Sequence, residues 1–293
     1  MKRTIKIWLL ATRPKTLPAS VMPVIIASAL ALSNKSFDYV TFALTLIESL
    51  LIQVITNFVN EIYDYKRGVD TNERTGPSRA VADGAISVKA MVATSVALTG
   101  ITLILGLYLV IAKDGGLFIL GIGLSSLLLA YIYTAGPKPI SYLGISEIFC
   151  FLFFGVFAVL GTYYLQVHKI TLEALITSLG PGFFSTNILG TNNIRDMQTD
   201  LKAGKMTLAV KIGRKKAIAL YIVFNVFAFI TPFILTLLIK NYWVLLPIIS
   251  FPFSIYLIRN LIKYSGPELN RVLAGTGQLL IMYGTLSCVG FLL

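Results

Sequence analysis

Eight stretches of this 293-residue sequence contain no Asp, Glu, Lys or Arg over roughly the length of a bilayer crossing. They are 16–34, 90–112, 115–137, 148–167, 174–194, 217–239, 241–258 and 272–293, and a ninth, 39–60, is interrupted only by Glu48. A helix needs about 20 mostly apolar residues to cross the hydrocarbon core. Inside lipid its backbone groups must bond within the segment, so each run is expected to be helical. The chain therefore reads as an all-α multi-pass membrane protein with nine transmembrane helices, in one integral-membrane domain over 1–293. Composition agrees: 56% of residues are hydrophobic and 13% charged, with a mean hydropathy of +0.80, whereas soluble domains carry about 25% charged residues.

Cytoplasmic loops collect Lys and Arg. In the nine-span register all 25 bases lie on one side except Lys35, Lys113, Lys169 and Lys240. The amino terminus is thus expected in the cytoplasm and the carboxyl terminus outside, in a cell (inner) membrane. The net charge of +12 belongs mostly to one membrane face, where it attracts anionic lipid, and no nucleic-acid partner is expected. Residues 2–12 read as an interfacial amphipathic helix and not as a cleavable signal, because Ile7–Ala11 is too short for an apolar core. Cys150 and Cys288 each sit inside an apolar run, so neither a disulfide framework nor a Cys-rich metal site is indicated.

Two connections are long, about 61–89 and 195–216, and both fall on the basic side. They hold Glu61, Asp64, Asp70, Glu73, Asp83, Asp196 and Asp200, most of the acids in the chain. Long loops in compact domains are more often functional than decorative. The two also resemble each other: Asn60-x-x-x-Asp64 closes the second run and Asn192-x-x-x-Asp196 the sixth, four helices later. Two four-helix repeats plus one helix account for nine spans.

Residues three, four and seven apart share a helix face. Asn57, Asn60, Glu61 and Asp64 are therefore expected to project together, as are Asn192, Asp196 and Asp200. Gly68 allows the chain to turn and bring Asp70 back. Oxygen-only clusters without His or Cys favour hard cations, and Mg²⁺ takes one or two carboxylates with substrate phosphates and water. The interleaved bases Lys66, Arg67, Arg79, Lys202 and Lys205 would have no use against a bare cation. Acids and bases together predict a metal diphosphate. Tyr63, Tyr65, Tyr131 and Tyr133 suit either an interfacial belt or the lining for a cationic intermediate. Glu48, an acid deep in a span, reads either as functional or as the partner of a buried polar group.

Asn60-Glu61-x-x-Asp64-x-x-x-Gly68-x-Asp70 and Asn192-Asn193-x-Arg195-Asp196-x-x-x-Asp200 resemble the two aspartate-rich motifs of the UbiA superfamily of intramembrane aromatic prenyltransferases. Glu61 stands where many members have Asp, keeping the charge at longer reach. The segments 11–20 (ATRPKTLPAS), 64–71 (DYKRGVDT), 133–147 (YTAGPKPISYLGISE), 153–166 (FFGVFAVLGTYYLQ) and 192–213 are similar to the menaquinone branch, which prenylates 1,4-dihydroxy-2-naphthoate. The resemblance implies that catalytic Asp64, Asp70, Asp196 and Asp200, with Asn60, Glu61 and Asn192, hold Mg²⁺ against a polyprenyl diphosphate. Lys66, Arg67, Arg79, Lys202 and Lys205 would neutralise the departing diphosphate. Arg13, Lys15, Tyr133 and Lys138 would meet the carboxylate of the aromatic acceptor or add diphosphate contacts. The implied reaction loses CO₂ and diphosphate and gives demethylmenaquinone. Other acceptors in the superfamily are 4-hydroxybenzoate, homogentisate, porphyrins and geranylglyceryl phosphate. A secondary transporter is the rival of a different class, but transporters place coupling residues near the bilayer midplane, whereas these acids end helices among bases.

Overall fold

The structure, a computed structural model, describes residues 2–69, 76 and 79–293. Among these, every regular element is helical. The first five are α1 (Lys2–Ala11), α2 (Pro18–Ser33), α3 (Tyr39–Lys66), α4 (Val88–Ile111) and α5 (Gly116–Ile132). They are followed by α6 (Ser146–Val167), α7 (Leu172–Lys202), α8 (Leu208–Ile212), α9 (Arg214–Ile239), α10 (Tyr242–Lys263) and α11 (Gly266–Leu292). Each of the nine expected runs holds one of α2 to α7 or α9 to α11. Six of these, α3, α4, α6, α9, α10 and α11, are long and apolar enough to cross a membrane. α2 and α5 are shorter, at 16 and 17 residues. α7 is 31 residues long, but its second half is polar.

Helix boundaries follow from local chemistry. Asp38 caps α3 by accepting the Thr41 N–H at 2.6 Å, and Ser87 and Thr171 cap α4 and α7 in the same way. The Thr41 amide holds the Asp38 carboxyl below the usual carboxylate range despite some desolvation, helped by Lys113 at 3.1 Å. α5 stops at Ile132, short of the expected 137, because Gly136 turns at φ +89 ahead of Pro137 and Pro139. α3 instead continues past 60 to Lys66, which carries Asp64 on a helical face.

The main core joins α2, α6, α7, α9, α10 and α11 through Ile26, Tyr163, Phe184, Phe229, Leu257 and Tyr283. α1 lies across α3 with Trp8 edge-on to Phe58 at 5.6 Å. It turns Ile5, Leu9 and Leu10 outward, as an interfacial helix does. Midway along α6, Leu152–Phe157 winds as a π-helix, a feature frequent at functional sites. There Gly155 meets Gly182 of α7: an added Cβ would stand 2.6 Å from Gly182 Cα and 3.0 Å from Ser178 O. Neither obstacle is a flexible side chain, so Gly155→Ala must push two helices apart. We expect it to cost about 1–3 kcal/mol, read as a lower thermal midpoint in detergent.

Candidate active site

The carboxyl-terminal ends of α3 and α7 open on one cavity of about 460 Å³. Asn60 and Asp64 reach it from α3, and Asn192, Asp196 and Asp200 from α7, together with Arg13, Arg79, Tyr133 and Lys205. The two helices end alike. Gly68 at φ +68 follows α3 and lets the Val69 N–H return to Asp64 O at 3.0 Å. Gly204 at φ +69 follows α7 and lets the Lys205 N–H return to Asp200 O at 2.8 Å. Each turn folds the next residue, Val69 or Lys205, back onto the cavity. Between asparagine and cap, α7 carries one turn more than α3, and that extra turn bears Asp200.

Each motif is gripped by an arginine. Arg79 Nη2 donates to Asn60 Oδ1 at 3.0 Å and to Asp64 Oδ2 at 3.1 Å. Arg13, held at φ +54 just after α1, donates to the same Asn60 oxygen at 2.7 Å. On the other side Arg195 forks onto both oxygens of Asp196 at 2.8 and 2.6 Å. It also reaches Asn192 Oδ1 at 2.7 Å and Asn270 Oδ1 at 2.8 Å. Lys205 Nζ lies 3.7 Å from Asp200 Oδ1. Burial disfavours its ammonium, but Asp64, Asp200 and Asp196 outweigh burial and raise its pKa. Carboxylates from both motifs thus act on one lysine.

Several residues expected here lie elsewhere. Asp70 falls outside the described residues. Glu61 is 1% exposed and turned away from the cavity, accepting the Val81 N–H at 2.8 Å, with Arg79 at 3.9 Å. Its longer side chain reaches the segment after Arg79 instead of the cavity, so it does not join the other oxygens. Arg67 is pinned to the Thr134 carbonyl at 2.8 Å and to the Gly136 carbonyl, and stacks over Tyr142. Lys66 is exposed, with its ammonium over Tyr63. Lys202, Lys15 and Lys138 are exposed and do not line the cavity. Tyr133 does line it, whereas Tyr131 hydrogen-bonds Thr99 at 2.8 Å.

The arrangement also includes residues that sequence spacing did not single out. Thr134 Oγ1 accepts from Asn60 Nδ2 at 3.2 Å. Glu147 Oε1 accepts from Asn193 Nδ2 at 2.9 Å, which leaves the amide oxygen of Asn193 for the cavity that it lines. Arg195 stood inside the second motif, and Thr134 beside Tyr133, but nothing in their spacing said what they would touch. The same cavity is lined by a row of aromatic rings from α6, Phe149, Phe153, Phe154 and Phe157.

The donor set fits a hard divalent cation. The cavity-lining ligand candidates are carboxylate and amide oxygens, and Asp64 Oδ1 is buried there without a hydrogen-bond partner. Among the described residues no three His, Cys, Asp or Glu side chains close around a single point. Mg²⁺ takes one or two carboxylates together with waters and substrate phosphates, a need that Asp64, Asp196 and Asp200 on one cavity can meet.

Known proteins bear on this geometry directly. Over 287 residues the chain is 32% identical to a 1,4-dihydroxy-2-naphthoate octaprenyltransferase of Bacillus subtilis, covering 96% of this chain and 91% of that one. It is 37% identical over 218 residues to the protein of the same name from Haemophilus influenzae, covering 72% and 71%. Among solved structures, a UbiA homolog from Archaeoglobus fulgidus bound to GPP and Mg²⁺ shares the fold at a TM-score of 0.69 and 16% identity, over 98% of this chain and 99% of that one. An apo UbiA homolog from Aeropyrum pernix aligns at 0.72 and 13% identity, over 92% and 97%. The sequence model of the UbiA prenyltransferase family matches residues 20–281, a range that contains both gripped motifs. The chain therefore belongs to the UbiA prenyltransferase family, as an intramembrane prenyltransferase.

Proposed function

We propose that the chain transfers a polyprenyl group from polyprenyl diphosphate to 1,4-dihydroxy-2-naphthoate in a Mg²⁺-dependent reaction on the cytoplasmic side of the cell membrane. The observation that carries this reading is the convergence of two acid-bearing, base-gripped helix ends on one cavity whose lining is otherwise largely aromatic and apolar. The substrate has the same division, a polyanion at one end and a hydrocarbon tail behind it. Asp64, Asp196 and Asp200, with Asn60 and Asn192, would hold the cation, and Asp70 is assigned the same role from the spacing of the first motif alone. When bound, Mg²⁺ screens the diphosphate and stabilises it as a leaving group. Lys205, Arg79 and Arg13 face the same charge as it develops.

The aromatic rings of α6 are assigned to the allylic carbon as it becomes electron-poor, because ring faces attract cations. Tyr133, at the cavity wall, is placed to orient the acceptor. The electron-rich naphthoate ring forms the new carbon–carbon bond as the bond to diphosphate breaks. The carboxylate then leaves as CO₂, and its electron pair restores the aromatic ring. No oxidant takes part, so the immediate product is the hydroquinone form of demethylmenaquinone. The names of the Bacillus and Haemophilus relatives support this acceptor, and the Archaeoglobus structure with GPP and Mg²⁺ supports the ion and the donor class.

We read the architecture as nine crossings, two four-helix repeats plus one, in one domain over 1–293 with catalytic loops at about 61–89 and 195–216. The amino terminus lies inside, as the distribution of bases favours. The test offers purified protein a panel of aromatic acceptors with one polyprenyl diphosphate, with and without Mg²⁺, and identifies products by mass. A decarboxylated naphthoate adduct that requires Mg²⁺ is expected. An adduct with another acceptor alone would overturn the substrate assignment and leave the family intact.

A further inference from the structure

The cavity continues far beyond the acids. The wall it takes from α3 is polar along its length, with Thr45, Glu48, Gln53 and Asn57 lining it as Asn60 and Asp64 do. These positions recur every three to five residues, so they run as a stripe down the helix. A polyprenyl tail has no hydrogen-bonding group and needs only the aromatic and apolar lining. The stripe therefore serves something else.

Among the described residues, three polar atoms in this deep region make no hydrogen bond of normal geometry, Glu48 Oε1, Gln53 Oε1 and Thr102 Oγ1, and the Glu48 carboxyl has only the backbone of Gly106 beside it. Their side chains line the cavity, and the residues are only 8%, 7% and 2% exposed. Leaving such groups unsatisfied is costly, and an acid within a span more so. The Glu48 carboxyl faces Gly106 of α4, where an added Cβ would stand 4.0 Å from Oε1. Thr102 sits one turn earlier on the same helix, so both residues address one spot. Glu48 precedes Asp64 by sixteen residues on an unbroken helix, which places it about 24 Å along the axis from the acids at 1.5 Å per residue.

We propose that Glu48, Gln53 and Thr102 form a second binding site, deep in the cavity, for the hydroxylated aromatic ring of the prenylated product. The proposal rests on the prenyl-transfer reading above for the existence of that product. An amide oxygen only accepts, and a carboxyl and a hydroxyl can each accept as well, so a ligand that donates hydrogen bonds can satisfy all three at once. The prenyl tail cannot, and the diphosphate is held at the other end of the cavity. The hydroquinone has two O–H groups and, with carboxylate and diphosphate gone, no charge to hold it at the basic mouth. Asn57, Gln53 and Glu48 then offer it successive partners down α3 on its way into the membrane.

The test is product inhibition of purified protein, measured without oxygen, using a short-chain prenylated hydroquinone and its dimethyl ether, which has the same rings but no O–H. Wild type should be inhibited about tenfold more strongly by the hydroquinone, the scale of one hydrogen bond. Glu48→Leu should abolish that preference, and Glu48→Gln, which keeps an acceptor oxygen, should retain it. Single-turnover transfer should be unchanged in both variants. Thr102→Val, nearly isosteric, gives a second reading that does not depend on Glu48→Leu folding, and should weaken the preference. Equal inhibition by hydroquinone and ether in wild type would show that the polar atoms hold only water and overturn the proposal. So would a preference that survives both Glu48→Leu and Thr102→Val. A wrong acceptor assignment shows up separately, as absence of the naphthoate adduct, and the compound pair is then made from whichever phenol is prenylated.

Discussion

Asp64→Asn is expected to lower prenyl transfer by about 10²–10³-fold, the range seen when one preorganised electrostatic group is removed from a reacting site. Asp64 is buried, and its Oδ2 is held by Arg79 at 3.1 Å while Oδ1 lies without a hydrogen-bond partner in a cavity-lining residue. An amide of the same size keeps an oxygen for Arg79 but removes the charge, and it sets N–H donors where an oxygen should meet the cation. The half-maximal Mg²⁺ concentration should rise along with the fall in rate. Initial rates across a Mg²⁺ titration, with thermal unfolding as a check on folding, measure both. Turnover within a few-fold of wild type would remove Asp64 from the proposed metal site.

Arg195→Ala is expected to destabilise the protein by about 3–5 kcal/mol, as when one partner of a buried ion pair is removed. Arg195 is 5% exposed and supplies four donor contacts, two to Asp196, one to Asn192 and one to Asn270. The substitution withdraws a counter-charge from α7 and cuts its tie to α11. Arg195→Lys should rescue little, because an ammonium cannot reproduce the planar fork on Asp196. A large drop in thermal midpoint for both variants is the expected reading. A drop confined to activity would show instead that Arg195 acts on substrate and not on the frame.

The sequence was most legible where long-range packing had no say. Eight charge-free runs and a ninth broken only by Glu48 located every long helix, and the spacing of Asn60 with Asp64 and of Asn192 with Asp196 identified faces that do meet on one cavity. What could not be read was the choice among equivalent charges. Arg79 and Arg67 lie in the same loop, yet one enters the cavity and the other spends its donors on the carbonyls of Thr134 and Gly136. Glu61 shares the helix end with Asp64, but an offset of about a sixth of a turn and one extra methylene take it to Val81. Arg195 was visible as a residue of the motif, but its four contacts depend on where Asn270 arrives from the far end of the chain. The stripe on α3 was open to discovery, since Thr45, Glu48, Gln53 and Asn57 recur at near-helical intervals. It was obscured because the same segment scores as lipid-like when averaged over its length.

The approach of Gly155 to Gly182 has a bearing on which tails the enzyme can take. With backbone against backbone at that crossing, the spacing of α6 and α7 is set by atoms that have no rotamers. Guests of unequal bulk must therefore be fitted by swinging the phenyl rings beside it, such as Phe153 and Phe157 with their centroids 5.0 Å apart. A ring there replaced by a smaller group should therefore widen the range of tails accepted without loosening the bundle, as a panel of donors of different length would read.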